Sequence, residues 1–372
     1  MDQSETKPAA GLIYGPDSHH LDHLGPLCEI LGIPLIVTEE AIALAANKYY
    51  PNLDVIFSDY FAVAQHLITH YEIIFYSIPR VLFDEVFFFA QKLAQKKVHT
   101  IWCPHGNSDK GNNIPYMEAL HREEVALMYG QQMIDFLKRK NVLDQLKSRV
   151  VTGNFRHAYY LQNKQFFDAL ADTEVFRRLP QSEKTILYAP TWKDNEKSTS
   201  FFDAATPLIQ GLPENWNLII KLHPNLILQE EFQIDSLIHR YEGHSRVLFL
   251  TEFPPVYPLL SGIDIYIGDM SSIGYDFLAF DRPMFFLNQN ARDPESDLGL
   301  YLFRCGVEVL PEKYQQIYPI IQNFLQFELR DYSKIRRQVY DYAFGSEKPL
   351  ETLRKEITAV YASFPDSDLN FY

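Results

Sequence analysis

Cysteine is scarce in this sequence, and long uninterrupted apolar runs are absent. Its three cysteines in 372 residues are odd in number and widely spaced, which excludes a disulfide framework and a zinc-finger pattern. The most apolar window, residues 73–90, is interrupted by Arg80, Asp84 and Glu85, which excludes a membrane span there. The polar N-terminus has no apolar signal core. We therefore expect a cytoplasmic protein with reduced thiols.

Basic charge is also scarce. Lysine and arginine number 34 against 48 aspartates and glutamates, and the formal net charge is −14 at pH 7. Phosphate backbones select for basic surfaces, so we expect no nucleic-acid partner. The same balance disfavours broad adhesion to anionic membranes, although a local peripheral contact on the inner face of a membrane stays open.

Short apolar runs alternate with amphipathic stretches along the whole chain. Such runs, separated by helical patterns, predict parallel strands in βαβ units. The predicted strands form two series, the first at residues 11–15, 34–38, 54–58, 73–77, 99–103, 125–129 and 149–152, and the second at residues 185–189, 218–222, 246–250, 263–267, 284–287 and 307–310.

A polar, helix-prone stretch at residues 155–180 separates the two series. We expect an α/β protein with two Rossmann-like domains whose parallel sheets face each other across a cleft. The predicted bounds are a disordered tail over 1–10, an N-terminal domain over 11–160, a C-terminal domain over 161–345, and a terminal helix and tail over 346–372.

His105 follows the fifth predicted strand in the sequence Pro-His-Gly. Open α/β sheets bind ligands beyond the carboxyl ends of their strands, and Gly106 permits close approach of a ligand to the backbone. An imidazole there is a suitable general base for a hydroxyl nucleophile. The alternative is a polar loop histidine. Asp109 is a candidate to orient the ring.

Thr191, Lys221 and His223 follow or end strands of the second series. Thr191 can donate its hydroxyl to a phosphate, or its Ala-Pro-Thr-Trp context marks a turn. Alternation places Lys221 and His223 on one face of a strand. The imidazole can stabilise charge on a transferring phosphoryl group, or it is a strand-end histidine with a structural partner.

Ser271 and Ser272 precede a predicted helix just after a strand, with Asp269 before them. The helix start offers unpaired N–H groups to a pyrophosphate, or the serines only cap the helix. Asp269 either contacts a ribose or orders the loop. Arg156 either reaches a phosphate or forms an inter-domain salt bridge.

His19 and His23 lie four residues apart and can share a helix face. Zinc is possible from this spacing alone, but no companion cysteine or intervening glutamate follows the known patterns. A polar loop or an acceptor-site lining is the favoured interpretation.

Five motifs together resemble the CDP-glycerol glycerophosphotransferase family, the polymerases and primases of teichoic-acid-like polymers. In chain order they are Trp-Cys-Pro-His-Gly (102–106), Val-Thr-Gly-Asn-Phe-Arg (151–156), Tyr-Ala-Pro-Thr-Trp (188–192), Lys-Leu-His-Pro (221–224) and Asp-Met-Ser-Ser (269–272). The resemblance covers residues 95–310 approximately, and it rests on the order of the motifs more than on any one of them.

The resemblance implies a GT-B fold, with an N-terminal acceptor domain and a C-terminal nucleotide-binding domain. The implied reaction transfers a polyol phosphate from a CDP-polyol to a polyol, glycan or lipid-linked acceptor and releases CMP, with no cofactor and no required metal. By the same resemblance, His105 is the base and His223 stabilises phosphate charge. Gly106, Arg156, Thr191, Lys221, Asp269, Ser271 and Ser272 are the substrate-binding candidates.

Two other functions stay open. A GT-B glycosyltransferase using another nucleotide-linked donor, a nucleotide sugar, has a similar fold. A non-catalytic relative that binds a nucleotide or a partner is the third possibility.

Overall fold

The computed structural model describes residues 7–82, 84–113 and 120–365. The chain divides into two compact units: the first comprises Met1–His105, Tyr116–Gln162 and Phe344–Tyr372, and the second comprises Gly106–Pro115 and Asn163–Ala343.

The first unit is a parallel α/β unit. Its strands are β1 (Ala9–Ile13), β2 (Leu35–Val37), β3 (Val55–Phe57), β4 (Ile73–Tyr76), β5 (His99–Trp102), β6 (Val125–Met128) and β7 (Ser148–Val151). Up to residue 162 its helices are α1 (Leu21–Leu31), α2 (Glu40–Tyr49), α3 (Val63–His70), α4 (Asp84–Lys92), α5 (Gln131–Arg139) and α6 (Phe155–Gln162). A short 3₁₀ helix, Ser18–His20, precedes α1. The seven strands lie in the order β3-β2-β1-β4-β5-β6-β7.

The central strands of this sheet are apolar because helices cover both faces. All four residues of β4 are buried, and so are all five of β1. Val63 of α3, Phe87 of α4 and Leu137 of α5 pack with strand residues in one apolar core. In β1, a Cβ at Gly11 would lie 2.4 Å from the sulfur of Cys28, so the glycine lets α1 pack closely.

The second unit repeats the plan. Its strands are β8 (Lys184–Ala189), β9 (Trp216–Lys221), β10 (Val247–Leu250), β11 (Ile265–Gly268), β12 (Met284–Leu287) and β13 (Val307–Val309). Its helices are α7 (Lys164–Glu174), α8 (Phe201–Gln210), α9 (Pro224–Gln229), α10 (Glu231–Tyr241), α11 (Val256–Ser261), α12 (Ile273–Phe277), α13 (Ile317–Phe324) and α14 (Glu328–Phe344). The strands, all parallel, lie in the order β10-β9-β8-β11-β12-β13. Residues of β8, β9, α8 and α13 share the main apolar core.

The chain then returns to the first unit as α15 (Leu350–Ala362), which packs against α1 and α6. Residues 346–365 therefore belong with the N-terminal half, whereas the sequence predicted a separate terminal segment. Residues 106–115 belong to the second unit, although the predicted N-terminal domain runs from 11 to 160. Both differences arise from tertiary packing, which strand periodicity does not report.

All thirteen predicted strands are present, with ends within two residues of the predicted ones, and the α/β class is confirmed. The first strand begins earlier than predicted: Ala9 and Ala10 are buried in β1 and not part of a disordered tail. The predicted tails at residues 1–6 and 366–372 lie outside the described residues. Cys28, Cys103 and Cys305 are free thiols, and all three are buried. Within the described parts of the chain, no helix is both long and apolar enough to cross a membrane.

Candidate active site

Both sheets have the strand order of a doubly wound fold, and each therefore has a point where the order reverses. These points lie between β1 and β4 in the first unit and between β8 and β11 in the second. Ligands of open α/β sheets bind at such points, beyond the carboxyl ends of the strands.

In the first unit, His105 is held by the end of β4. Its Nδ1 lies 2.9 Å from the carbonyl oxygen of Ser77, the residue that follows β4. A carbonyl oxygen can only accept, so Nδ1 carries a proton and donates it. In the neutral ring, the lone pair is then on Nε2. The His105 side chain is exposed. This is the tautomer that a general base needs.

Two further imidazoles surround His105. Nδ1 of His20 lies 2.8 Å from the Ser77 hydroxyl, and the His20 ring meets that of His105 edge-on at 5.1 Å between centroids. The His19 ring centroid is 6.1 Å from that of His105. Burial raises the pKa of the Asp17 carboxyl, and the charge of nearby His105 opposes that shift. The polar segment after β1 thus lines the same corner as the candidate base.

His23 and Arg156 lie in the interior of the first unit. Nδ1 of His23 lies 2.8 Å from the Tyr129 hydroxyl, and burial together with the Arg156 charge lowers the pKa of His23. The Arg156 side chain is only 2% exposed and pairs with Asp22 at 2.5 Å. Asp22 lies in the first unit as well, so this pair is not the inter-domain bridge considered as an alternative. Arg156 ties α6 to α1.

In the second unit, Thr191 and Asp269 join the two strands of the switch point. The Thr191 amide donates to one oxygen of Asp269 at 2.8 Å. The amide and hydroxyl of Ser200 donate to the other at 2.9 and 2.8 Å. Burial raises the pKa of Asp269 to about 6 despite these hydrogen bonds. Of the two predicted roles, the observed contacts match ordering of the loop.

The hydrogen bond at Nδ1 of His223 has the opposite direction to the one at Nδ1 of His105. It is the N-cap of α9, and its Nδ1 accepts a hydrogen bond from the Asn225 amide at 3.1 Å. Because Nδ1 accepts, the proton of the neutral ring is on Nε2, which is then a donor. The His223 ring lies 6.3 Å from the Trp192 ring, and the Lys221 ammonium donates to the Phe253 carbonyl at 3.1 Å. A donor at Nε2 is the form that stabilises a phosphate oxygen.

Ser271 and Ser272 precede α12 as predicted, and Ser272 occupies its N-cap position. The Ser272 side chain makes no capping hydrogen bond, and Ser271 is 8% exposed. Ser272 therefore occupies the cap position without capping the helix, because its hydroxyl accepts no hydrogen bond from the helix amides. Whether these groups hold a pyrophosphate stays a prediction.

The loop after His105 is part of the second unit. Gly106 has φ of +124°, a conformation that favours glycine, so its predicted place at a close backbone turn has a steric reason. Asp109 accepts hydrogen bonds from the Tyr275 hydroxyl at 2.6 Å and from the Leu302 amide at 2.9 Å. Asp109 therefore anchors the loop, a role different from the predicted orientation of His105.

Ser77, His20 and Lys110 are not among the predicted site residues. The strand-end rule points to Ser77, because it follows β4 at the switch point. His20 lies between His19 and His23 in the sequence, but its pairing with Ser77 bridges 57 residues. Lys110 contacts Thr191, which is 81 residues away, and no local pattern predicts that contact. Among the described residues, no group of three or more histidines, cysteines or carboxylates is arranged to hold a metal ion.

Comparison with known proteins agrees with the motif resemblance. Residues 158–303 match the family model described as CDP-Glycerol:Poly(glycerophosphate) glycerophosphotransferase. The teichoic acid glycerol-phosphate primase of Bacillus subtilis (strain 168) is 24% identical over 306 residues, which are 77% of this chain and 71% of the primase. The teichoic acid poly(glycerol phosphate) polymerase of the same organism is 26% identical over 146 residues, 38% of this chain but only 19% of the polymerase.

A solved structure shows the same fold. It is a histidine-to-asparagine variant of the wall teichoic acid polymerase TagF soaked with CDPG, with a TM-score of 0.64 and 15% identity over 95% of this chain and 88% of that chain. The two parallel-sheet units are thus those of a GT-B-like fold. The family model, the relatives and the fold all agree with the motif resemblance to the CDP-glycerol glycerophosphotransferase family.

Proposed function

We propose that this chain moves a polyol phosphate from a CDP-polyol to an acceptor hydroxyl and releases CMP, in the synthesis of a teichoic-acid-like surface polymer. The observation that carries the proposal is the opposite placement of the proton on two strand-end histidines, a base on His105 and a donor on His223. The family model and the CDPG soak of a structural neighbour support a CDP-linked donor.

In the proposed step, Nε2 of His105 takes the proton of the acceptor hydroxyl. The acceptor oxygen forms a bond to the phosphorus that carries the polyol, and the bond from that phosphorus to the bridging oxygen of CMP breaks. The electron pair of the broken bond stays on the CMP phosphate. The acceptor gains the polyol phosphate, and the proton stays on His105 until solvent removes it.

The second unit stabilises the charge that moves to the nucleotide. Nε2–H of His223 is the proposed donor to a phosphate oxygen, where charge accumulates as the bond breaks. Thr191, Ser271 and Ser272 are the proposed ligands of the diphosphate. Asp269 acts through Thr191, because it holds the Thr191 amide at 2.8 Å.

Three of the proposed substrate-binding residues, Gly106, Lys221 and Arg156, have roles other than direct contact with the diphosphate. Gly106 allows the backbone turn after the base. Lys221 spans from β9 to the Phe253 carbonyl and supports the loop beside His223. Arg156 makes no direct contact with substrate in this proposal, since its guanidinium is buried against Asp22 and lies 5.7 Å from the Tyr129 ring centroid.

A donor screen tests the function. The full chain is incubated with a polyol or glycan acceptor and with CDP-glycerol, CDP-ribitol, UDP-sugars or GDP-sugars, and released nucleotide is quantified. Release of CMP with transfer of phosphorus to the acceptor is expected. Release of UDP or GDP with glycosyl transfer would establish the glycosyltransferase alternative instead. Nucleotide binding with no turnover on any acceptor would establish the non-catalytic one.

A lipid-linked acceptor requires access to a membrane surface, and the first unit has exposed apolar side chains that fit such a contact. Phe61, just before α3, is 99% exposed, and Leu82, Phe88 and Leu93 around α4 are also exposed. Helices α3 and α4 pack against each other, which brings these side chains to one region of the unit. Aromatic and aliphatic side chains of this kind insert at the membrane interface. We propose a peripheral contact through this region.

Vesicle sedimentation tests the contact. Phe61→Ser with Phe88→Ser is expected to reduce the bound fraction on vesicles of mixed anionic and zwitterionic lipids. Phe232→Ser is the matched control, because Phe232 is 86% exposed but lies on α10 of the second unit. Equal binding by the wild type and the double variant would reject this surface.

A further inference from the structure

Lys110 places an ammonium group at the carboxyl end of β8, inside the second unit. Its Nζ donates to the Thr191 hydroxyl and lies 3.2 Å from a carboxylate oxygen of Asp194. It is also 5.6 Å from the centroid of the Trp192 ring. The His223 ring is 6.3 Å from the same indole. The lysine thus belongs to the same corner as the proposed phosphate ligands.

The backbone on both sides of Lys110 is fixed. Asp109 accepts from Tyr275 and from the Leu302 amide, and the Gly111 amide donates to Glu196 at 2.8 Å. A side chain on so anchored a loop loses little further freedom when it binds a ligand. This is the preorganisation that a binding residue needs.

Lys110 is a largely buried ammonium whose carboxylate neighbours have other hydrogen-bond donors as well. Burial lowers the pKa of Lys110, and the charges of Asp194 and Asp269 oppose the shift. Asp194 is already satisfied by the Glu196 amide at 3.0 Å and by the Ser198 hydroxyl at 2.8 Å. Asp269 is satisfied by Thr191 and Ser200. Burying an ammonium costs free energy, and the carboxylates beside Lys110 also accept hydrogen bonds from other groups.

We propose that Lys110 is the cation that binds the diphosphate of the nucleotide donor in the second unit. An ammonium has three N–H donors, of which Thr191 and Asp194 account for two. The third can bond a phosphate oxygen, as can the Thr191 hydroxyl when it turns from Lys110 to the ligand. The inference rests on the proposed function, because it concerns the nucleotide-linked donor assigned there.

The test compares CDP with cytidine, which lacks both phosphates. Isothermal titration on the full chain measures both affinities for the wild type, Lys110→Met and Lys193→Met. Loss of a charge-assisted hydrogen bond weakens CDP binding in Lys110→Met by about 10- to 100-fold, with cytidine unchanged. Lys193 is the control, since it is exposed, flanks Trp192 and pairs with Glu230 at 2.8 Å. Unchanged CDP affinity in Lys110→Met, or an equal loss for cytidine, would overturn the proposal.

Two more variants separate binding from folding. Lys110→Met leaves Asp194 without its cation, so Lys110→Met with Asp194→Asn removes both charges. The loss of CDP affinity is expected to persist in this double variant and to be partly recovered in Lys110→Arg. Recovery of wild-type affinity in the double variant would show that an unpaired Asp194 caused the loss. If the wild type binds UDP and not CDP, the donor assignment fails, and UDP against uridine still decides the role of Lys110.

Discussion

The histidines of the two units differ in what their Nδ1 atoms touch. In the first unit, Nδ1 of His105 donates to a strand-end carbonyl, that of Ser77, at 2.9 Å. In the second unit, Nδ1 of His223 accepts from an amide at the start of α9, that of Asn225, at 3.1 Å. Both histidines follow apolar strands, and both have a backbone partner. Their neutral rings nevertheless carry the proton on opposite nitrogens.

The difference shows that the local backbone determines which ring nitrogen of a histidine carries the proton. A strand end offers a carbonyl to a neighbouring loop, which leaves a base at Nε2. A helix start has amides without partners, which a ring nitrogen can cap, leaving a donor at Nε2. Neither partner is a side chain, so substitution of a neighbour does not easily reverse the assignment.

The largest effect is expected at His105. His105→Ala should lower kcat about 10²- to 10⁴-fold with CDP affinity little changed, because a general base acts only as the hydroxyl is deprotonated. The measurements are CMP release and calorimetric CDP binding. His239→Ala is the control, since His239 is 77% exposed on α10. Full turnover in His105→Ala would show that His105 is not the base. The proposed difference in role between His105 and His223 would then be wrong.

His223 is expected to show the next largest effect, and two variants separate its two roles. His223→Ala removes both the cap of α9 and the Nε2 donor, whereas His223→Asn keeps a side-chain acceptor for the cap. Both should lower kcat about 10²- to 10³-fold, as for loss of one transition-state donor. Thermal unfolding should show a loss of stability mainly in His223→Ala. Near wild-type turnover in His223→Asn would mean that only the cap matters.

The pH dependence of stability tests whether burial perturbs the Asp269 carboxylate, which accepts from the Thr191 and Ser200 amides in the second unit. Its pKa is about 6 in the fold against an ordinary value of 3.8, so the folded state binds the proton more tightly. The resulting stabilisation is present below pH 4 and is lost as pH rises through about 6, a change of about 3 kcal/mol.

Urea unfolding of the wild type and of Asp269→Asn across this pH range measures the effect. The free energy of unfolding of the wild type, relative to the variant, should fall from pH 4 to pH 7. A constant difference would show that burial does not raise the pKa of Asp269.

The strands and their order of appearance could be predicted because parallel strands buried on both faces are continuous apolar runs. The sites at the strand ends follow from the same pattern, which is why His105, Thr191 and His223 could be named. The pattern does not show which group each of these side chains bonds to. The opposite proton placement on two histidines depends on Ser77 and Asn225, and a sequence lists these without the contacts.

Long-range contacts account for the remaining differences. Arg156 follows a strand, as a phosphate ligand might be expected to, yet it pairs with Asp22, 134 residues earlier. Lys110 lies in a polar loop of the first half of the chain but contacts Thr191 in the second unit. No periodicity links such positions, since the fold alone brings them together.

The smallest effect is expected at Ser77, and it sharpens the contrast between backbone and side-chain partners. Ser77→Ala keeps the carbonyl that holds His105 but removes the hydroxyl bonded to His20 at 2.8 Å. An unmet hydrogen bond to a buried ring should lower stability by about 1–3 kcal/mol in thermal or urea unfolding. The kcat and its pH profile should hardly change, because the backbone still sets the His105 tautomer. His20→Ala is the comparison: if either variant shifted the pH profile of kcat as His105 substitution does, the side-chain network and not the carbonyl would control the base.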